Sequence, residues 1–258
     1  MDMTSSVLPI SATVLTKNSE RHLVRVLNAL RGFDEVVVLD NGSQDNTLAI
    51  AGEYANVSIH HHVFEGFGKL KNRAAAQARN GWIMNIDSDE IVSDELMQSL
   101  QRIDFSEINK IYTVSRLNHY RGRPIRGCGW YPDMVPRLYH RSHTAFSDVP
   151  VHERIEIQND SQLTALSGEL LHYSYNGAGE LLAKMQFYSD LYAERYRGKK
   201  SATTAQAVAH GAFAFLKSYV FKKGFLYGGD GWVISASVAA NSYYKYVKLK
   251  EANEQPKP

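Results

Sequence analysis

Four apolar runs punctuate the first third of the chain: "VLPISATVLT" (7–16), "EVVVLD" (35–40), "VSIHHHVF" (57–64) and "WIMNID" (82–87). They are short and rich in β-branched residues, so they read as buried strands, the third less apolar than the others. Between them lie helical patterns. Leu23, Val26, Leu27 and Leu30 recur at helical spacing behind Asn18 or Ser19 as N-cap. "GSQDNTLAIAGEYA" is a turn running into a helix, and "KLKNRAAAQARN" is an alanine-rich helix with Gly81 just past its end. Strand and helix alternating in this way predict a parallel sheet covered on both faces. Such sheets bind ligands at the carboxyl ends of their strands. Three polar segments fall there: Thr16-Lys17-Asn18, Asp40-Asn41-Gly42-Ser43 and Asp87-Ser88-Asp89.

From residue 111 the pattern changes. "IYTVSRLNHY", "RLYHRS", "HERIEI" and "LLHYSY" alternate more and are joined by Gly-, Pro- and Arg-rich loops. They predict antiparallel or mixed strands that complete the sheet. From about residue 178 the chain reads helical. The expected fold class is therefore α/β, with a nucleotide-binding type of domain over residues 1–177 and a helical region over residues 178–258.

Charge adds an asymmetry to this picture. Residues 1–194 carry 18 Lys and Arg against 24 Asp and Glu, a net of −6; residues 195–258 carry 11 against 3, a net of +8. A basic, aromatic-rich tail behind an acidic body points to an anionic partner for the tail, such as a membrane surface. Basic and aromatic residues on helices suit an anionic membrane face, and a helical hairpin packed on the domain is the alternative. The single cysteine, Cys128, excludes a disulfide framework and a cysteine metal cluster and fits a reducing compartment. The start of the chain lacks a secretory pattern, and no apolar stretch is long enough to span a bilayer.

Phosphate-loop motifs are absent. No G-x-x-x-x-G-K-[ST] occurs, and "GFGKLK" at 66–71 lacks the third glycine of a dinucleotide fingerprint. "HHH" at 60–62 lies in a strand, where alternate side chains face opposite ways, so it does not make a three-ligand metal site. The acidic segment "NIDSDEIVSDEL" (85–96) is more informative. Carboxylates crowded at a buried strand end repel and desolvate one another, so something positive must offset them. In an extended segment Asp87 and Asp89 would face one side and form a hard oxygen site for Mg²⁺ or Mn²⁺. Ser93 or Asp94 then caps the next helix.

The ordered series "TVLTKN", "EVVVLDNGSQDNT", "GFGKLKNRA" and "WIMNIDSDE" resembles the inverting glycosyltransferases of family 2, which have the GT-A fold. "GCGWYPDMVPRLYHRSHTAFSDVPVHE" and the tail "FLKSYVFKKGFLYGGDGW…YYKYVKLKE" narrow the resemblance. They are similar to small lipopolysaccharide-core transferases that add β-1,4-linked glucose to heptose. The resemblance spans roughly residues 8–251 and carries several expectations. Thr16, Lys17, Asn18, Asp40 and Gly42 would hold the uracil and ribose of a UDP-sugar. Asp89 would ligate a divalent cation, with Asp87 on the metal or the ribose. Lys71 or Arg73 would meet the diphosphate. Glu153, or alternatively Asp133, would be the general base, and Trp130, Tyr131 and His152 would touch the acceptor. The family's Asn-Glu pair after the first strand is here Asn18-Ser19, so Glu20 receives no donor role. The implied partners are a UDP-sugar, a lipopolysaccharide core acceptor and the anionic cytoplasmic face of the inner membrane, with no nucleic acid. A metal-dependent phosphohydrolase and a non-catalytic membrane-bound nucleotide binder are the rivals.

Overall fold

The computed structural model describes residues 7–148 and 153–254. The chain divides into two compact units, one of residues 1–116 and 133–172 and the other of residues 117–132 and 173–258.

In the first unit, β1 (Leu8–Thr16), β2 (Phe33–Asp40), β3 (Val57–His61) and β4 (Trp82–Asp87) form a parallel block in the order β3-β2-β1-β4. Ile10 to Val14 are all buried, so successive side chains find cover on both faces. The register brings the strand ends level: Thr16 lies opposite Asp40, Leu15 opposite Asp87, and Asp40 opposite His61. Four helices belong to this unit: α1 (Glu20–Ala29), α2 (Thr47–Gly52), α3 (Phe67–Gln77) and α4 (Asp94–Leu100). α1 buries Leu23, Val26 and Leu27 from its apolar stripe, each contributing about 1.5–3 kcal/mol. Leu70, Ala74 and Ala75 of α3 pack with Val37, Leu39 and Ile83 of the sheet. α3 ends at Gln77, earlier than its alanine-rich run predicts. The amides of Arg79 and Asn80 leave the helix to donate to the Glu35 carboxylate (2.7 Å) and the Ser11 hydroxyl (3.2 Å).

The sheet continues from β4 through antiparallel strands, β8 (Met134–His140), β6 (Lys110–Tyr120), β9 (Gln162–Tyr175) and β5 (Glu90–Val92), in that order. Two expectations are corrected here. Ser88 and Asp89 form a tight turn between β4 and β5, so Asp87 and Asp89 do not sit on one extended segment. β5 itself, absent from the sequence reading, is held by pairing Glu90 with His172 and Val92 with Leu170. "HERIEI" is not a full strand in its described part, residues 153–157. Only an isolated bridge joins Ile155 to Phe146, since its backbone meets a partner only along 145–147. α4 starts at Ser93, whose hydroxyl accepts the Leu96 amide at 3.2 Å, as one of the two expected caps.

In the second unit a two-residue strand, β7 (Arg123–Pro124), folds back on the end of β6. Three helices follow: α5 (Ala178–Tyr196), α6 (Thr204–Leu216) and α7 (Gly228–Glu254). α6 opens on a reciprocal cap, with the Thr203 hydroxyl accepting the Gln206 amide and the Gln206 side chain accepting the Thr203 amide. A single π-turn (Lys217–Phe221) and a 3₁₀ turn (Gly224–Tyr227) link α6 to α7. The core of this unit gathers Tyr120, Ile125, Cys128, Leu181 and Ile234. Cys128 is free and buried, and burial pushes its thiol up. Among the described residues no helix is long and apolar enough to cross a membrane.

Candidate active site

The three polar strand ends are hydrogen-bonded to one another. The Thr16 hydroxyl donates to Asp40 (2.9 Å), and the Ser19 hydroxyl pairs with Ser88 (3.0 Å). Asn18 takes a left-handed conformation (φ 51°). That twist lets its amide donate to the Ser43 hydroxyl (2.9 Å) and its side chain accept the Gln44 amide (2.8 Å). Glu20 accepts the Asn46 amide at 2.9 Å, so its role is to hold the second loop. Lys17 stays exposed beside this knot.

Asp40 organises the turn after β2. It is almost fully buried, and it accepts the amides of Gly42 and Ser43 (both 2.9 Å) and the Ser43 hydroxyl. Gly42 has a φ of 103°, a conformation that a Cβ would strain. Burial pushes the Asp40 carboxyl up, and its bonds from Ser43, Gly42 and Thr16 more than reverse this, leaving it below the usual range. The folded state then binds fewer protons here than the unfolded state, so this contribution is present above about pH 4 and is lost as pH falls below it. Asp40→Asn is expected to flatten the loss of stability as pH falls below about 4, measured by denaturant unfolding at each pH. An unchanged slope would assign the acid sensitivity to other carboxylates.

Beyond the fourth strand end runs a row of alternating charges. Arg116 holds Asp133 through Nε (2.8 Å) and Nη2 (2.7 Å) and reaches Glu90 at 3.6 Å. Glu90 is fully buried and is bonded by Arg137, which also donates to Asp87 (2.8 Å) and Asn85 (3.0 Å). Lys71, reaching in from α3, lies 3.7 Å from Asp87 and 3.1 Å from Glu153. The sequence is thus Asp133, Arg116, Glu90, Arg137, Asp87, Lys71, Glu153, acid and base in strict turn. Burial raises the Asp87 carboxyl, and Arg137 with Lys71 overcomes this and holds it well below the usual carboxylate range. Glu90 is pushed upward by burial, and by Asp87 beside it, against the pull of Arg137 and Arg116. The positive charge that the acidic segment demands comes first from the protein itself.

The expected residues divide as follows. Lys71 is buried in the row, whereas Arg73, two residues on, points elsewhere and pairs with Glu65 on the surface. Glu153 and Asp133 cap opposite ends of the row. Asp89 stands beside it, with its carboxylate 3.4 Å from His172 Nε2. His152 lies outside the described residues. Trp130 and Tyr131 belong to the second unit. There Trp130 stacks on Tyr175 (centroids 4.9 Å apart), both lining a cavity of about 190 Å³, and Arg126 sits over the Tyr131 ring at 4.7 Å. Arg116, Arg137 and His172 carry no site role in the sequence reading, and Glu90 enters it only as one acid of the clustered segment. Their signal was a charged or titratable residue inside an apolar strand pattern, as in "MVPRLYH" and "LLHYSY".

Three linked strand ends thus stand beside a row of alternating charges, and comparison with known proteins identifies the chain as a glycosyltransferase. Residues 11–123 match the model of glycosyl transferase family 2. The α/β sheet and helical C-terminal region agree with the fold that the resemblance implied. Over 263 residues the chain is 28% identical to "Uncharacterized glycosyltransferase RP128" of Rickettsia prowazekii, covering 94% of this chain and 87% of the relative. It is 28% identical over 200 residues to "Lipopolysaccharide core biosynthesis glycosyltransferase LpsC" of Rhizobium meliloti, covering 73% and 72%. Among solved structures, Staphylococcus aureus TarS 1-349 in complex with UDP is 18% identical, with a TM-score of 0.48 and coverage of 94% of this chain and 90% of that one.

Proposed function

We propose that this protein is an inverting transferase that moves a hexose, glucose from UDP-glucose, onto a heptose of the lipopolysaccharide inner core. It would do so at the cytoplasmic face of the inner membrane. The observation that carries the reaction type is the Lys71–Glu153 pair at 3.1 Å, with Asp87 on the other side of Lys71. It sets a carboxylate next to a cation at the end of the parallel block. The acceptor class follows the sequence resemblance, and a relative named for lipopolysaccharide core biosynthesis supports it.

The linked loops at Thr16–Asn18 and Asp40–Gly42 would flank the pyrimidine and ribose. The Thr16 and Ser43 hydroxyls can rotate away from Asp40, which frees a carboxylate lone pair for a pyrimidine N–H. Lys71 would face the diphosphate; Arg73, tied to Glu65 on the surface, is the less suited of the two. Glu153 would take the acceptor hydroxyl proton while that oxygen attacks the anomeric carbon and the bond to UDP breaks. Lys71 would offset the charge left on the departing diphosphate.

Among the described residues no three metal-ligating side chains gather, and the pair suited to share a divalent cation with a diphosphate is Asp89 with His172. The Asp89 carboxylate and His172 imidazole are 3.4 Å apart, while Asp87 is committed to Arg137 and Lys71. Mg²⁺ and Mn²⁺ accept one or two protein ligands and complete their shell from substrate phosphates. Bound there, the cation would supply charge stabilisation on the leaving diphosphate. Asp89→Ala is expected to abolish the Mn²⁺-dependent part of UDP affinity in calorimetry while circular dichroism stays native. Metal-dependent affinity that survives the substitution would remove Asp89 from this role. The function itself is tested by incubating the enzyme with UDP-sugars and truncated core acceptors and measuring UDP release and product anomeric configuration. Transfer from UDP-glucose to a heptose acceptor with inversion is the expected result. Transfer only to other glycans would place the enzyme on a different acceptor, and no transfer with any donor would refute the reading.

A further inference from the structure

We propose that the helical corner between α6 and α7 is a docking surface for an anionic lipid bilayer. This goes further than the membrane setting of the transferase reading, because it assigns that contact to particular side chains and does not depend on the transfer chemistry.

The corner is built to turn large apolar side chains outward. Gly231, in the first turn of α7, lies so close to Gly224 that a Cβ would sit 1.9 Å from the Gly224 carbonyl oxygen. Lys223 takes a left-handed conformation (φ 56°) to enter the 3₁₀ turn. This tight crossing leaves little room inside for the bulky residues between the two glycines. Phe221 is 66% exposed, Leu226 61% and Trp232 54%, and Phe213 at the end of α6 is 60% exposed. Leu216, Val220 and Phe225 are exposed too. Four rings, the exposed Phe225 and Trp232 and the half-buried Phe215 and Tyr219, form one contiguous group. Tyr219 stacks on Phe215 (5.4 Å between centroids) and meets Trp232 (5.3 Å) and Phe225 (6.5 Å) edge-on. A contiguous exposed apolar group of this kind marks an interaction surface.

The charge around it selects the partner. From the start of α6 to the end of the 3₁₀ turn, residues 204–227 hold three lysines, Lys217, Lys222 and Lys223, and no Asp or Glu. Lys217, Lys222 and Lys223 are interleaved with the exposed Leu216, Val220 and Phe221. The nearest acid in sequence, Asp230, faces Arg121 (3.7 Å) and Arg123 (3.5 Å) of its own unit. An apolar plate with a cationic collar complements acyl chains beneath anionic headgroups, with rings at the interface and ammonium groups on the phosphates. An acidic protein partner would match the collar but leave the plate unpaired.

The test is co-sedimentation of the full chain with vesicles of phosphatidylcholine alone and with added phosphatidylglycerol, at low and high salt. Binding is expected only with the anionic lipid and is expected to weaken with salt. Lys217→Glu, Lys222→Glu and Lys223→Glu together should weaken it by on the order of 100-fold or more. Phe213→Ser, Phe221→Ser and Phe225→Ser should reduce binding even at low salt. Phospholipids brominated on their acyl chains should quench tryptophan emission in the wild type and much less in Trp232→Phe. No vesicle binding at low salt, binding unchanged in both triple variants, or a stable dimer that buries this corner would each overturn the proposal. UDP binding is measured in parallel by calorimetry. Its absence would count against the transferase reading, and UDP binding without vesicle binding would count against the docking surface alone.

Discussion

Replacing Glu153 by Gln is expected to lower turnover by roughly 10²–10⁴-fold while the donor affinity stays nearly unchanged. The substitution keeps the shape of the side chain and one oxygen for Lys71, which already has Asp87 3.7 Å away as a second carboxylate. What disappears is the ability to hold the proton released by the acceptor hydroxyl. The effect should therefore fall on kcat, with little change in the donor KM, and steady-state kinetics on both substrates would read it. Asp133→Asn is the companion experiment. Asp133 Oδ2 already receives two guanidinium bonds from Arg116, whereas Glu153 receives a single ammonium contact. Asp133 is accordingly expected to matter more for holding Arg116 than for proton transfer. An active Glu153→Gln enzyme beside a dead Asp133→Asn enzyme would exchange the two assignments.

The second large effect is expected from Arg137. Its guanidinium is almost wholly buried between Asp87, Glu90 and Asn85. Substituting methionine leaves the fully buried Glu90 facing the partly exposed Asp87 with no guanidinium between them, and removing one partner of a buried charged group costs about 3–5 kcal/mol. The melting midpoint should fall by on the order of 10 °C. The double variant Arg137→Met, Glu90→Gln should recover part of that loss, because burial and the neighbouring Asp87 already disfavour the charged form of Glu90. Thermal unfolding of the wild type and the two variants tests this. A double variant no more stable than the single one would show that Arg137 acts through packing rather than charge.

The parallel block was legible because both its faces are covered. β1, β2 and β4 are buried nearly throughout and therefore read as continuous apolar runs. The three strand ends were legible for the same reason, since polar residues stop those runs abruptly. β5 was not, because its three residues begin with a glutamate and are ordered only by pairing with a strand some eighty residues later. The geometry of Asp87 and Asp89 was misread for a related reason: spacing of two implies a shared face only if the chain stays extended, and here it turns. The arginines were the largest omission. Arg116 and Arg137 lie on β6 and β8 and Lys71 on α3, and no local pattern announces that they meet. An arginine in an otherwise apolar strand was the available signal, and it foretells a buried partner without naming it.

The row of alternating charges also crosses a boundary in the chain. The family match ends at residue 123, which includes Lys71, Asp87, Glu90 and Arg116 but not Asp133, Arg137 or Glu153. The matched part thus carries the linked strand-end loops together with Asp87 and Glu90, and the later part carries the arginine that both acids share and the carboxylates at either end of the row. The matched part is balanced in number, two acids against Lys71 and Arg116, yet the guanidinium that holds Asp87 and Glu90 together comes from the later part. A chain cut after residue 123 would keep those two acids and lose the cation they share.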